Sequence, residues 1–271
     1  MTDYQLVATD LDGTLTTTQK QITPHTQQVL LRSQQMGARL ALVSGRPING
    51  IASLAKQLQM DRFGGCIISF NGAKISSCST GETLYERSLP QNVLPQLCGL
   101  NKKYRLTSMI YSPDTIITET GNNRYVLFDG RINHMAIEEV PDLMQRIDFP
   151  VHKFLFAGDP PYLEKLEPDI RSQFPSCSIY RSDPYYLEVM PSNVDKAQAL
   201  SALLGWLHLT RQSLLACGDG FNDVSMVRFA GMGVAMENAQ PEVKAAAKFV
   251  TRSNDEDGVA YAVQKFILHE V

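Results

Sequence analysis

The stretch Asp10-Leu11-Asp12-Gly13-Thr14-Leu15 directly follows the apolar run Leu6-Val7-Ala8 in a chain of 271 residues. The apolar run predicts a buried strand, and Asp10 and Asp12 follow it two residues apart, while Gly13 lets the chain bend sharply away. Carboxylates this close repel each other unless a cation lies between them or one carries a proton. The spacing therefore indicates a divalent metal site with one carboxylate as nucleophile and the other as proton shuttle. An ordinary acidic turn after a strand is the alternative.

A second apolar run, Leu40–Val43, ends in a hydroxyl and a glycine, Ser44 and Gly45. Pro47 suits the first turn of a helix, where its missing N–H is not needed. A strand that leads through Ser-Gly into a helix presents a hydroxyl and free backbone N–H groups, which bind anions well. The alternative is a plain strand-to-helix connection with Ser44 as a cap.

Lys196 lies at the start of a helical pattern that continues through Leu200 and Leu204 and ends at Gly205. The helix dipole disfavours a cation in the first turn, so this position indicates an anionic partner for Lys196. A solvated surface lysine is the alternative.

A fourth segment runs from the apolar stretch Leu214–Cys217 into an acidic, glycine-containing turn. If a helix starts near Asn222, then Asp219, Asn222 and Asp223 cluster at its amino end. Asp219 would then complete an oxygen-ligand site of the kind that magnesium prefers. Capping of the helix explains one of these residues, but not all three.

Together these segments resemble the four motifs of the haloacid dehalogenase superfamily and, within it, the Cof-type phosphatases with a large inserted cap. The matching motifs are Asp10–Leu15, Ser44–Arg46, Lys196 and Gly218–Asp223, in that order. The chain is also similar to bacterial enzymes of this branch that hydrolyse sugar phosphates. Branch-level similarity extends to Asn71–Ala73, Gly231–Ala239 and Asp257–Ala260. Two positions depart from the commonest pattern: Ser44, where threonine is also common, and Ala197, where glycine is frequent.

The resemblance implies a magnesium ion held by Asp10, Asp219 and the backbone carbonyl of Asp12. It also implies that Asp10 attacks phosphorus to form an aspartyl-phosphate, while Asp12 protonates the leaving alcohol and later deprotonates water. Asp223 is either an acceptor just outside the metal ligands or the residue that orients Lys196. The groups expected to hold the phosphoryl oxygens are Ser44, the N–H of Gly45, Lys196, Asn222 and the N–H of Leu11.

Strand and helix patterns alternate in residues 1–82 and 192–271, which predicts an α/β fold with a Rossmann-like, doubly wound parallel sheet. All the nominated acidic residues follow predicted strands, and ligands bind at the carboxyl ends of strands in such sheets. Residues 83–191 instead alternate polar and apolar positions and predict an inserted α+β cap, with an antiparallel sheet covered by helices on one face. The other face is expected to close over the acidic site.

Within these zones the sequence also places individual elements. A helix is expected to begin at Pro24, with Thr23 as its N-cap, and to stop at Gly37. In the insert, the predicted strands are Leu106–Tyr111, Thr115–Thr120 and Val151–Phe156, and the predicted helices are Gln91–Tyr104 and Pro161–Phe174.

Composition and charge narrow the class of protein. A net charge of −3 without a basic stripe argues against nucleic acid as a partner. Five cysteines without Cys-x-x-Cys spacing indicate buried thiols in a reducing compartment. The segment Met1–Gln5 lacks the features of a signal peptide, and no apolar run approaches the length of a membrane span. These patterns predict a cytoplasmic protein with no membrane partner. Exposed cap strands would allow a homodimer, and this alternative stays open.

The sequence thus predicts a magnesium-dependent phosphatase of small phosphomonoesters, most of all sugar phosphates. The alternatives are a phosphatase of a phosphorylated cofactor such as pyridoxal phosphate or flavin mononucleotide, a sugar phosphomutase, and a non-catalytic phosphate-binding regulator. Tyr185, Tyr186 and Glu188 are candidates for selecting the substrate, although strand packing or a solvated edge explains each of them as well.

Overall fold

The computed structural model describes residues 4–271, so the first three residues of the segment considered for a signal peptide lie outside the described residues. The chain divides into two compact units. The core unit holds the residues up to Glu86 together with Asp195–Val271, and the inserted unit is Arg87–Val194. The sequence predicts that the inserted unit begins at residue 83, four residues before its observed start at Arg87. The difference arises because Thr83–Glu86 pairs with Lys74–Ser76 in the sheet of the core unit.

The core unit alternates strands and helices along both of its segments. Its strands are β1 (Leu6–Thr9), β2 (Arg39–Val43), β3 (Cys66–Ser69), β4 (Lys74–Ser77), β5 (Thr83–Glu86), β12 (Leu214–Gly218), β13 (Met232–Ala235) and β14 (Phe249–Val250). Its helices are α1 (Pro24–Gln35), α2 (Asn49–Gln57), α7 (Lys196–Trp206), α8 (Val224–Phe229), α9 (Pro241–Ala246) and α10 (Gly258–Val263).

These strands form an eight-stranded sheet in the order β14-β13-β12-β1-β2-β3-β4-β5. The strands from β14 to β3 are parallel, and β4 and β5 add an antiparallel edge. Because β1 lies between β2 and β12, the amino-terminal and carboxyl-terminal segments of the core unit meet at the centre of the sheet. The predicted α/β fold with a doubly wound, mostly parallel sheet is confirmed.

Apolar side chains cover both faces of this sheet. Val7 of β1 belongs to one buried cluster, which includes residues of α1, α2, α9 and α10. Its neighbours Leu6 and Ala8 belong to another cluster, which includes residues of α7. Side chains of successive strand residues point to opposite faces, so the helices lie on both sides of the sheet. The hydroxyl of Thr23 accepts a hydrogen bond from the Thr26 N–H at the start of α1, which confirms the predicted N-cap.

The inserted unit contains its own six-stranded sheet, in the order β10-β11-β9-β6-β7-β8. Its strands are β6 (Thr107–Tyr111), β7 (Thr115–Thr118), β8 (Ala136–Glu139), β9 (Phe154–Ala157), β10 (Cys177–Asp183) and β11 (Tyr186–Pro191). Its helices are α3 (Leu94–Tyr104), α4 (Arg124–Asn133), α5 (Leu143–Arg146) and α6 (Pro160–Gln173).

The second sheet departs from the antiparallel, singly covered sheet that the sequence predicts. Strands β7 and β8 run parallel, because α4 connects them as a crossover helix. Ile110 belongs to the apolar cluster that also holds residues of α3 and α6. Tyr111, the next residue along β6, points to the opposite face and donates a hydrogen bond to Asp129 of α4 at 3.0 Å. Helix α4 therefore lies on the face opposite to α3 and α6.

All five cysteines are free thiols. Cys66, Cys98 and Cys217 are buried as expected, whereas Cys78 and Cys177 are half-buried. Within residues 4–271, no helix is both long enough and apolar enough to cross a lipid bilayer.

Candidate active site

The polar residues nominated from the sequence follow three neighbouring strands of the core unit. Asp10 follows β1, Ser44 follows β2 and Asp219 follows β12. The strands are in parallel register, with Thr9 opposite Cys217, and the Asp10 N–H donates to the Cys217 carbonyl at 3.0 Å. Because β1 is the central one of the three, its carboxyl end brings the acidic turn between the other two.

The turn after β1 requires glycine. Gly13 has a φ of +87°, a conformation that other residues adopt only with strain. A Cβ at this position would also overlap the carboxylate of Asp219. The next residue, Thr14, donates its hydroxyl to Asp219 Oδ1 at 2.6 Å. The first and fourth motifs are therefore in direct contact.

Lys196 is the first residue of α7 and is completely buried. Its ammonium group lies 2.6 Å from Asp10 Oδ1 and 2.5 Å from Asp223 Oδ1. Burial alone would lower the pKa of Lys196, but the two carboxylates raise it above its ordinary value, so the side chain is charged. The position of Lys196 in the first helical turn predicts an anionic partner, and the structure shows two, Asp10 and Asp223.

Asp223 contacts both Lys196 and the turn after β12. While its Oδ1 accepts from Lys196, its Oδ2 accepts from the backbone N–H groups of Asp219 and Gly220, each at 2.9 Å. The expected helix begins two residues later than Asn222, because a 3₁₀ turn, Phe221–Asp223, precedes α8. Of the two roles left open for Asp223, the orientation of Lys196 corresponds to a direct hydrogen bond.

Three carboxylates of the core unit fit a metal ion. Oxygen atoms of Asp10, Asp219 and Asp223 all lie within 4.8 Å of one another. Burial, with the neighbouring carboxylates, raises the pKa of Asp10 to about 8, against the lowering effect of Lys196. Burial likewise raises the pKa of Asp219 to about 6. A divalent cation that prefers oxygen ligands would relieve this repulsion, so the donor set suits Mg²⁺.

The carboxylate of Asp12 is not one of these three and contacts two cations. Arg46 donates from Nε to Oδ2 at 2.8 Å and from Nη2 to Oδ1 at 2.6 Å, a paired geometry that guanidinium groups favour. The ammonium group of Lys20 lies 2.7 Å from Oδ1. Burial would raise the pKa of Asp12, but these contacts lower it below its ordinary value.

The groups nominated to hold phosphate lie around the same edge of the sheet. Ser44 is buried, and its hydroxyl accepts from the Arg46 N–H at 3.2 Å. Asn222 donates its amide to Asn71 Oδ1 at 3.0 Å. A Cβ at Gly45 would lie 3.0 Å from the Asn71 amide, so this glycine allows the two segments to approach closely. In the described part of the chain, no acceptor is recorded for the N–H of Leu11, the remaining nominated group.

The sequence does not predict four of the residues that make contacts in the site. Arg46 and Thr14 lie inside quoted motifs, but no role followed from their spacing. Asn71 lies in a segment that showed only branch-level similarity, and its φ of +52° marks a strained turn. Lys20 follows Asp12 by eight residues in a polar turn, and no sequence signal distinguishes it from a solvated lysine.

All three residues considered for substrate selection have packing or hydrogen-bond partners inside the inserted unit. Tyr186 is buried and donates its hydroxyl to the Tyr125 carbonyl at 2.7 Å, while Tyr185 stacks on the Tyr125 ring. Glu188 is buried and accepts from Lys153 at 3.1 Å.

Comparison with known proteins relates nearly the whole chain to one family. Residues 7–263 match the family described as haloacid dehalogenase-like hydrolase. A solved haloacid dehalogenase-like hydrolase from Bacteroides thetaiotaomicron is 43% identical, with a TM-score of 0.93 over 97% of this chain and 99% of that one.

Two curated relatives come from Bacillus subtilis. YxeH, which is named as a candidate phosphatase, is 31% identical over 275 residues, covering 98% of this chain and 99% of its own length. YitU, a 5-amino-6-(5-phospho-D-ribitylamino)uracil phosphatase, is 27% identical over 267 residues, covering 96% and 97% respectively.

Proposed function

The chain belongs to the haloacid dehalogenase-like hydrolases and is a phosphatase of their Cof-type branch. From that premise we propose that it is a magnesium-dependent hydrolase of small phosphomonoesters, with sugar phosphates as its substrates. The observation that carries the proposal is the environment of Asp10. This carboxylate follows the central strand, accepts from the buried Lys196 at 2.6 Å and lies within 4.8 Å of Asp219 and Asp223.

In the proposed reaction Asp10 is the nucleophile. One of its oxygens is held by Lys196, which leaves the other free to attack phosphorus and form an aspartyl-phosphate. The lysine also offsets negative charge as an anionic ester approaches an anionic carboxylate. Asp223 keeps the ammonium group in place from the opposite side. The nucleophile is therefore fixed in position before substrate binds.

Asp10, Asp219 and the backbone carbonyl of Asp12 would hold the magnesium ion. When bound, the ion supplies positive charge that reduces the repulsion between the nucleophile and the phosphate and stabilises the charge of the transferring group. Thr14, through its hydrogen bond to Asp219 Oδ1, leaves the other oxygen of that carboxylate available as a ligand.

Asp12 is the proposed acid and base. It would protonate the leaving alcohol in the first step and deprotonate the hydrolytic water in the second. Because Arg46 and Lys20 occupy both of its oxygens, Asp12 has to release one contact before it can reach the ester oxygen. Lys20 is the contact most readily released, since its side chain is 59% exposed and is attached by one bond.

The phosphoryl oxygens would be bound by the Ser44 hydroxyl, by the N–H groups of Leu11 and Gly45, and by Lys196 and Asn222. These donors lie on the segments that follow β1 and β2 and at the starts of α7 and α8. Backbone N–H groups and fixed side-chain donors stabilise a transferring phosphoryl group without rearranging during the reaction.

Sugar phosphates are proposed because of the relatives' chemistry. YitU is named for a substrate whose phosphate is attached to a ribityl chain, which is a linear polyol. The sequence similarity between YitU and this chain covers nearly the full length of both proteins, so the comparison includes the inserted unit. A polyhydroxylated leaving group is therefore the first class to test.

The test is release of inorganic phosphate from a panel of sugar phosphates, nucleotides, pyridoxal phosphate and flavin mononucleotide, with magnesium or with EDTA. Wild type, Asp10→Asn and the matched control Asp61→Asn, which changes an exposed aspartate, are assayed side by side. We expect magnesium-dependent release from sugar phosphates in wild type and control, and none from Asp10→Asn.

Other outcomes would change the assignment. Faster release from pyridoxal phosphate or flavin mononucleotide would make the enzyme a cofactor phosphatase. Migration of phosphate between hydroxyls without release would make it a mutase. Retained release in Asp10→Asn would remove the proposed nucleophile, and no release from any compound by folded wild type would favour a phosphate-binding regulator.

A further inference from the structure

A polar cavity lies in the core unit, away from the candidate active site. Its volume is about 460 Å³, within the range of roughly 300–1,000 Å³ typical of small-molecule sites. The cavity is open to solvent on one side. It is lined by Tyr4, Arg211, Gln212, Arg228, Ala230, Gly231 and Lys248.

The cavity lies at the amino ends of the parallel strands. Tyr4 shortly precedes β1, Gln212 precedes β12, Gly231 directly precedes β13 and Lys248 directly precedes β14. The catalytic candidates follow the carboxyl ends of the same strands. At about 3.3 Å per residue, a strand of four or five residues separates the two sites by on the order of 13–17 Å.

Three of the lining side chains, Arg211, Arg228 and Lys248, are cations. Among the described residues, Arg211 and Arg228 make no side-chain hydrogen bond or ion pair, and the cavity lining includes no aspartate or glutamate. Lys248 donates one hydrogen bond, to the Gly231 carbonyl at 2.6 Å, and its ammonium group has three donors. In a protein with a net charge of −3, this cavity is a local concentration of positive charge.

The backbone that supports these cations is tightly packed. The Gly231 N–H donates to the Arg211 carbonyl at 2.7 Å. A Cβ at Gly231 would lie 2.5 Å from the Gln212 carbonyl, so only glycine allows the two segments to meet here. This contact fixes the main chain at Arg211 relative to the segment that leads into β13. The cavity is therefore built on rigid segments of the fold.

We propose that this cavity binds a phosphate group, either as inorganic phosphate or as part of a small phosphorylated molecule. Two guanidinium groups and an ammonium group match the charge and the oxygen acceptors of a phosphate dianion. Gln212 and Tyr4 also line the cavity, and an amide and a phenol group suit the polar remainder of an organic phosphate. This site is distinct from the catalytic one, because it lies at the opposite edge of the sheet.

The proposal is tested by isothermal titration calorimetry of the full chain in EDTA, which prevents turnover. The probes are inorganic phosphate and the phosphonate analogue of glucose 6-phosphate, which cannot be hydrolysed. Wild type is compared with Arg211→Gln/Arg228→Gln and with a control of equal charge, Lys56→Gln/Arg62→Gln, whose residues do not line the cavity. Each single arginine variant is also measured.

We expect the double arginine variant to bind at one site fewer than wild type, or to bind at that site at least about tenfold more weakly, since charge-assisted hydrogen bonds are lost. The control should match wild type. Tighter binding of the phosphonate would identify an organic phosphate as the ligand, and equal or weaker binding would identify inorganic phosphate. Identical isotherms for wild type and the arginine variants, or an equal loss in the control, would overturn the proposal.

Discussion

Replacing Lys196 with methionine tests the charge balance on which the site depends. The ammonium group is completely buried and contacts two carboxylates, at 2.6 and 2.5 Å. Removing one partner of a buried ion pair costs about 3–5 kcal/mol of unfolding free energy, because the remaining charge is left uncompensated. We expect the lower end, about 3 kcal/mol at pH 7.5, since Asp10 then takes up a proton and Asp223 keeps its two backbone hydrogen bonds.

The measurement is urea unfolding followed by circular dichroism, which reports the change as a lower midpoint at constant slope. Lys56→Met is the matched control, because Lys56 is exposed and makes no contact with the site. The double variant Lys196→Met/Asp223→Asn should recover part of the lost stability, since it also removes one of the uncompensated carboxylates. A loss below about 1 kcal/mol, or equal to that of the control, would refute the assignment of Lys196 as the buried counter-charge.

Three other perturbations address neighbouring parts of the site. Burial raises the pKa of Asp10 to about 8 and that of Asp219 to about 6. Through these two groups the folded, metal-free protein binds more protons than the unfolded chain from pH 3.8 to about 8. The folded protein therefore loses stability as the pH rises through that window. Protons therefore compete with the metal, and the rise in melting temperature caused by magnesium should be larger at pH 8 than at pH 5.5; a shift independent of pH would contradict this. Gly13→Ala should cost about 1 kcal/mol or more and also weaken magnesium binding in a calorimetric titration, whereas Gly37→Ala, with a similar positive φ but open space around it, should lose only stability. Arg46→Lys breaks the paired hydrogen bonds to the proposed acid and base and should lower kcat by roughly tenfold, less than the roughly 10²–10⁴-fold that acid–base catalysis contributes as a whole, because Asp12 itself is kept. Unchanged kcat with an altered melting temperature would make that contact structural.

The parts of the site that the sequence predicts are those that follow strands. Asp10, Ser44 and Asp219 were placed correctly at one sheet edge because apolar runs identify strands and parallel strands share a carboxyl edge. Lys196 was placed by a local electrostatic argument, which its two carboxylate contacts explain. In each case the signal lies within a few residues of the side chain concerned.

The contacts that the sequence did not predict depend on long-range packing. Nothing near Lys20 or Arg46 shows that both reach Asp12, because this depends on where a turn and a helix start lie in space. In the inserted unit, β9 begins at Phe154 and not at Val151, because the Val151 carbonyl accepts from Leu89 outside the sheet. Helix α4 buries a regularly spaced face, but three of its four buried residues, Asp129, Gly130 and Asn133, are not apolar, so apolar periodicity gave no prediction for it.

The discontinuity of the core unit has a consequence for biosynthesis. The central strand β1 leaves the ribosome first, yet its neighbour β12 begins only at Leu214. The inserted unit is one continuous segment and is complete at Val194, 20 residues (214 − 194) before β12 begins at Leu214. At roughly 5–20 residues per second, these take about 1–4 s. The inserted unit can therefore fold during translation, while β1 and its acidic turn wait with one edge unpaired. A nascent chain stalled before Leu214 is the species in which chaperone binding to the amino-terminal segment should be strongest.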